Sequence, residues 1–165
     1  MVFCLLILSL FGQDTWPRFR GENGTGVSSA KIPIKLGENT LLWSAKLSGP
    51  GSSSPVIWKD KLFVTSENRN TEIVALICLD AKSGKTLWSK PLAVGAYHLH
   101  RFNNTAAASP AVNDNTVVIS WFNGTDNKAM LTAFDHSGTK LWDYGIGKVK
   151  TQHGFNLQPI IHQEQ

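Results

Sequence analysis

SPVIWKDKLFVTSENRNTEIVALICLDAKSGKTLW, residues 54–88, recurs as SPAVNDNTVVISWFNGTDNKAMLTAFDHSGTKLW, residues 109–142. The copies align without a gap from Ser-Pro to Asp. Leu62-Phe63-Val64-Thr65-Ser66 falls on Val117-Val118-Ile119-Ser120-Trp121, Leu76 on Leu131, Leu79 on Phe134 and Asp80 on Asp135. The second copy loses one residue in the Asp-to-Gly turn, and both close on Leu-Trp, at Leu87-Trp88 and Leu141-Trp142. Leu42-Trp43 is the closing piece of an earlier unit, and Gln158-Pro159-Ile160-Ile161 opens a later one. Self-similarity over so long a register is the signature of stacked supersecondary units.

Each unit reads as four short antiparallel strands. The first follows the Ser-Pro pair, where a proline at the strand's start forfeits no ladder bond. The second, 61–66 and 116–120, is β-branched and aromatic. The third, 73–79 and 129–134, runs to Asp80 or Asp135. That carboxylate can accept from the following backbone N–H groups while Gly84 or Gly138 supplies a positive φ. The fourth carries the Trp. No helical period occurs beyond the amino-terminal residues. A single four-stranded sheet cannot bury both faces, so the units must stack face to face. The expected fold is therefore all-β, a partial β-propeller of four-stranded antiparallel blades, with two complete blades and parts of the flanking ones. Trp43, Trp88 and Trp142 are expected to seal neighbouring units, because burying an indole removes a large apolar area from water.

Composition agrees. The 165 residues are 42% hydrophobic and 17% charged, with 14 Gly, 7 Pro and 6 Trp, so the chain can bury a core. A net charge of +4 without any Lys/Arg block points away from nucleic acid. Residues 2–11 form an unbroken apolar run, too short to span a bilayer and of the length of a secretory leader. Residues 1–13 are thus expected to be a signal peptide and 14–165 the repeat region, extracytoplasmic and without a transmembrane span. With the leader removed Cys78 stands alone in an apolar stretch, a packed and inert thiol rather than half of a disulfide.

Ser-Pro-Val, a β-branched strand, Ala-Leu-x-x-Leu-Asp and Ser-Gly-Lys-Thr-Leu-Trp together resemble the pyrroloquinoline-quinone (PQQ) type repeat. Trp16-Pro17-Arg18-Phe19-Arg20-Gly21, followed by Gly24 and Gly26, is similar to the start of many secreted PQQ-like β-propellers. The repeat builds the blades of quinoprotein dehydrogenases and of related non-catalytic propellers, including the outer-membrane assembly lipoprotein. The resemblance covers residues 16–162 and implies one part of a longer propeller. The dehydrogenases of the family use a vicinal Cys-Cys pair, a Ca²⁺ held by Glu, Asn and Asp, and a catalytic Asp. This chain has no Cys-Cys pair and no residue that aligns with the ligands or the catalytic Asp. No catalytic residue and no metal ligand is carried over.

Antiparallel topology sorts the connections. Residues 58–60, 81–85, 113–115 and 136–139 are short and lie at one end of the sheets. Residues 67–72, 89–107, 123–128 and 145–157 are expected to be longer and to lie at the other, where binding residues on a rigid scaffold tend to sit. The candidate ligand-binding residues there are His98, His100, Arg101, Asn103 and His153. Cations such as Arg69, Lys128, Lys148 and Lys150 outnumber the acids, which favours an anionic ligand or acidic partner. His98-x-His100 has metal-ligand spacing on a strand, but no acid or Cys adjoins it, so two loop histidines bonded to backbone is the plainer reading. Asn23-Gly24-Thr25, Asn103-Asn104-Thr105 and Asn123-Gly124-Thr125 match the glycosylation sequon and read first as turns. The expectation is a secreted or periplasmic propeller that serves as a binding or assembly scaffold, without catalysis or cofactor, for a protein or an anionic small-molecule or glycan partner. The alternatives are the amino-terminal part of a PQQ- and Ca²⁺-dependent alcohol or sugar dehydrogenase, and an anionic glycan-binding propeller.

Overall fold

A computed structural model describes residues 15–30, 34–35, 37, 40–96, 98–150 and 155–162. The expected leader, 1–13, and His153 lie outside these described residues. Nine strands form, with no α-helix among the described residues: β1 Thr15–Trp16, β2 Val56–Trp58, β3 Lys61–Asn68, β4 Ile73–Asp80, β5 Thr86–Ala93, β6 Ala111–Val112, β7 Val117–Asn123, β8 Lys128–Phe134 and β9 Lys140–Lys148. They make two antiparallel sheets, β1-β2-β3-β4-β5 and β6-β7-β8-β9, one per repeat. The all-β, partial-propeller reading holds.

Strand β4 explains why the sheets stack. Its sequence Ile-Val-Ala-Leu-Ile-Cys-Leu has no polar side, and alternate residues go to opposite faces. Val74, Leu76 and Cys78 meet Val112, Val117, Ile119 and Phe134 of the second sheet in one core. Ala75, Ile77 and Leu79 join Val64 on the other face, under Trp43, Ala45 and Leu47. Cys78 is fully buried in the core between the sheets, and burial pushes its thiol up to about 12, so it is inert at neutral pH.

The Trp positions repeat as an interlock. Trp43 donates its indole N–H to the Ala81 carbonyl (3.0 Å), and Trp88 donates to the equivalent His136 carbonyl (3.0 Å). Each ring lies against the turn glycine of the unit that receives it. A Cβ on Gly84 would stand 2.3 Å from Trp43, and one on Gly138 2.9 Å from Trp88. Only glycine fits at either place, both for the close ring and for its φ of +69° or +84°. Trp142 has no such carbonyl partner among the described residues and is 44% exposed. A β-bulge aims these rings: Cys78 pairs with Trp88 and Leu79 with Thr86, leaving Leu87 extra and exposed. Leu141 is the extra residue in the second copy.

A second interlock runs along the first strands. The Ser54 N–H donates to Ser109 Oγ (2.8 Å), and the Ser109 N–H donates to Gln158 Oε1 (2.7 Å), so each Ser-Pro start is tied to the start of the next unit. Strand β1 was not foreseen. It adds to the free edge of β2, pairing Thr15 with Trp58 and Trp16 with Ile57. The Pro17 carbonyl then accepts from Val112 N–H (2.8 Å), so one short segment bridges both sheets and covers an open edge.

The turn aspartates behave as the repeat predicts. Asp80 Oδ1 accepts from the Ser83 hydroxyl (2.6 Å) and from the N–H groups of Ser83 and Lys82. Asp135 Oδ1 accepts from the Ser137 hydroxyl (2.7 Å) and from the N–H groups of Thr139 and Ser137. Hydrogen bonds from the serine hydroxyls, helped by the backbone donors, hold both carboxyls below the usual carboxylate range. A depressed folded pKa means that this stability is present above the ordinary value near 3.8 and is lost as pH falls through the lower folded value. Urea midpoints measured between about pH 5 and pH 2 should therefore fall more steeply for the parent than for an Asp80→Asn/Asp135→Asn double variant.

Candidate functional site

The ladders run further than propensity suggests. Glu67 and Asn68 stay in β3, paired with Val74 and Ile73, so the expected 67–72 loop contracts to 69–72. Its counterpart contracts from 123–128 to 124–127 because Asn123 pairs with Lys128. Each tight loop ends on a residue of left-handed conformation, Glu72 (φ 54°) or Asn127 (φ 52°). Only the connections between units are long. Residues 94–110 form the one that is described almost throughout, since β5 continues to Ala93 and β6 starts at Ala111.

That connection is braced by a buried charge. Glu67 faces inward at the end of β3 with its side chain 1% exposed. Its Oε1 accepts from Arg69 Nε (2.6 Å), and its Oε2 accepts from the Thr105 N–H (2.5 Å) and the Thr105 hydroxyl (2.7 Å). The Arg69 Nη2 donates to the Asn103 carbonyl. Asn104 Nδ2 donates to Ser52 Oγ (2.5 Å), tying the same stem to the segment before β2. The Ala106 carbonyl accepts from Ser52 and Ser53 N–H. A groove of about 240 Å³ lies between this brace and Val94, Gly95 and Leu99.

Beyond the brace the chain turns on itself. The Asn103 N–H donates to the His100 carbonyl (2.9 Å), closing a turn whose tip is Arg101-Phe102. Phe102 is 78% exposed. The Arg101 guanidinium lies over its ring, 4.5 Å from the centroid, and the His100 ring stands 5.5 Å away.

Of the residues expected to bind, His100, Arg101 and Asn103 are brought together in this turn. His98 is exposed in the same connection but in no strand, so strand alternation does not set it beside His100. Among the described residues no three His, Cys, Asp or Glu side chains group as a metal site. Asn23-Gly24 sits in a turn, whereas Asn123 ends β7 and Gly124 opens the 124–127 turn. The Thr105 hydroxyl of the third sequon donates to Glu67.

Sequence reasoning missed Glu67 and Phe102. The signal for Glu67 was present: its repeat equivalent is Phe122, which stacks on Phe155 at a centroid distance of 6.3 Å. The same place in the fold takes an apolar ring in one unit and a carboxylate in the other.

A family model described as outer membrane protein assembly factor BamB matches residues 34–164. Among solved structures, BamB from Moraxella catarrhalis is similar at 22% identity and a TM-score of 0.43, over 62% of this chain and 26% of that one. Quinohemoprotein alcohol dehydrogenase from Comamonas testosteroni is similar at 22% identity and a TM-score of 0.41, over 58% of this chain and 13% of that one. The chain thus spans about a quarter of the length of the first of these structures and less of the second. No curated protein matches.

Proposed function

The chain belongs to the family described as outer membrane protein assembly factor BamB, and from that premise we propose that it is a non-catalytic, extracytoplasmic binding or assembly scaffold for a protein partner. The observation that carries this reading is the fixed 94–110 connection. A loop that only joins two sheets has no need of a fully buried carboxylate at its stem, because burying a charge is costly unless it is paired. Here Glu67, Arg69, Thr105 and Asn104 hold one exposed turn in place on a rigid double sheet. Binding residues placed on such loops lose little entropy on association, which suits a docking surface.

The dehydrogenase alternative makes an opposite demand. Titrating the full chain with PQQ and Ca²⁺, while following dye reduction with an alcohol or sugar, should give no saturable absorbance change and no turnover. Saturable binding with dye reduction would replace the scaffold reading with that of a quinoprotein.

A further inference from the structure

The 100–103 turn has the features of an anchor rather than of a linker. A single exposed aromatic is ordinary on a protein surface, and exposure alone does not mark Phe102. What marks it is the contrast between tip and stem. The tip leaves a large apolar ring in solvent. The stem is fixed by three side-chain bonds to Glu67, by Arg69 on the Asn103 carbonyl, and by Asn104 on Ser52. In the second unit Phe122 stands in the place of Glu67 and packs on Phe155 and Val149 of the following connection, so the residue at this position holds a connection in both units.

At this end of the sheets Arg69, Arg101, Lys128, Lys148 and Lys150 outnumber Glu67, Glu72 and Asp126 among the described residues, which favours an acidic partner. Arg101 lies on the Phe102 ring. At the same end of the second sheet Lys128 and Lys148 are directly opposed across β8 and β9, an unfavourable like-charge pair. Neither is in an ion pair among the described residues. The two ends are joined, since the Gly124 N–H donates to the Val94 carbonyl (2.6 Å). An acidic partner relieves the Lys128–Lys148 repulsion while its apolar slot takes up the ring.

We propose that Phe102, flanked by Arg101, is the anchor by which this chain docks an acidic protein segment that carries an apolar slot. The inference rests on the scaffold reading and adds the contact residue and the partner's chemistry. An aromatic–arginine pair on a preorganised turn is a favourable hot spot, because its ordering cost is met before binding.

The test is binding of the full chain to short immobilised peptides rich in Asp and Glu, in matched sets with and without Leu, Ile and Phe. Heparin and phosphatidylglycerol vesicles form separate arms. The expected result is retention on the acidic set that contains apolar residues, weakened by salt and reduced at least about tenfold by Phe102→Ala and by Arg101→Ala. Circular dichroism and the thermal midpoint should be unchanged in both variants, since neither side chain is buried. Equal retention of Phe102→Ala and parent overturns the anchor. So does equal retention on the two acidic sets, or a preference for heparin or vesicles. If Lys128→Glu abolishes peptide binding while Phe102→Ala does not, the anchor falls and the scaffold reading stands. If no peptide set is retained, both fall.

Discussion

Trp88→Ala lowers the free energy of unfolding by about 3–5 kcal/mol, whereas Trp142→Ala, at the equivalent place in the second unit, costs about 1–2 kcal/mol. The two residues share a sequence context, a bulge and a strand position, so intrinsic propensity cancels in the comparison. What differs is the neighbour. Trp88 packs on the core of both sheets, with its ring 5.8 Å from Phe63 and 6.4 Å from Phe134, and donates to His136. Removing it leaves a cavity between two sheets and orphans the His136 carbonyl. Trp142 is 44% exposed, so its truncation removes less buried area. Urea denaturation of the two variants measures the difference. Equal losses would mean that the indole stabilises its own sheet and not the junction.

The repeat was legible because it follows from one requirement, that every unit bury both faces against copies of itself. Ser-Pro starts, Asp-Gly turns and the Leu-Trp close all occupy equivalent places in the two sheets. Strand ends were less legible. Glu67, Asn68 and Lys128 are poor strand formers by type, yet the ladder carries them because the antiparallel partners are already in register. Leu87 and Leu141 look like core residues and are exposed, since the bulge gives the inward place to the Trp that follows. Strand β1 rests on Thr15 and Trp16 pairing with a strand more than 40 residues away in sequence, a contact that no local pattern announces.

The site was half legible. His100, Arg101 and Asn103 stood out as polar residues in a long connection, and the turn unites them. Phe102 was passed over because an aromatic in a sequence is first assigned to a core. Arg69 was noted only as a cation. Its role depends on Glu67, two residues before it, and on a carbonyl 34 residues away. Side-chain brackets of this kind are set by tertiary placement and leave no periodic trace.

Glu67→Ala is expected to destabilise the chain by about 1–3 kcal/mol, and to do so mainly by releasing the 94–110 connection. Deleting the carboxylate leaves the Thr105 N–H and hydroxyl without their acceptor at the floor of the groove, while Arg69, 54% exposed, turns to solvent. Glu67→Gln keeps the shape and one acceptor but turns an NH₂ group on either the Arg69 Nε–H or the Thr105 N–H, so it loses less than Ala yet does not restore the bracket. Glu67→Phe copies the second unit and fills the space with an apolar ring. It should recover part of the stability, because a packed apolar residue often matches a buried ion pair in energy. Amide hydrogen exchange separates the two effects. The Thr105 amide should lose protection in all three variants, while the β4 amides follow only the global stability. A Glu67→Phe chain that kept Thr105 protected would show that packing alone holds the loop, and the electrostatic brace would be refuted.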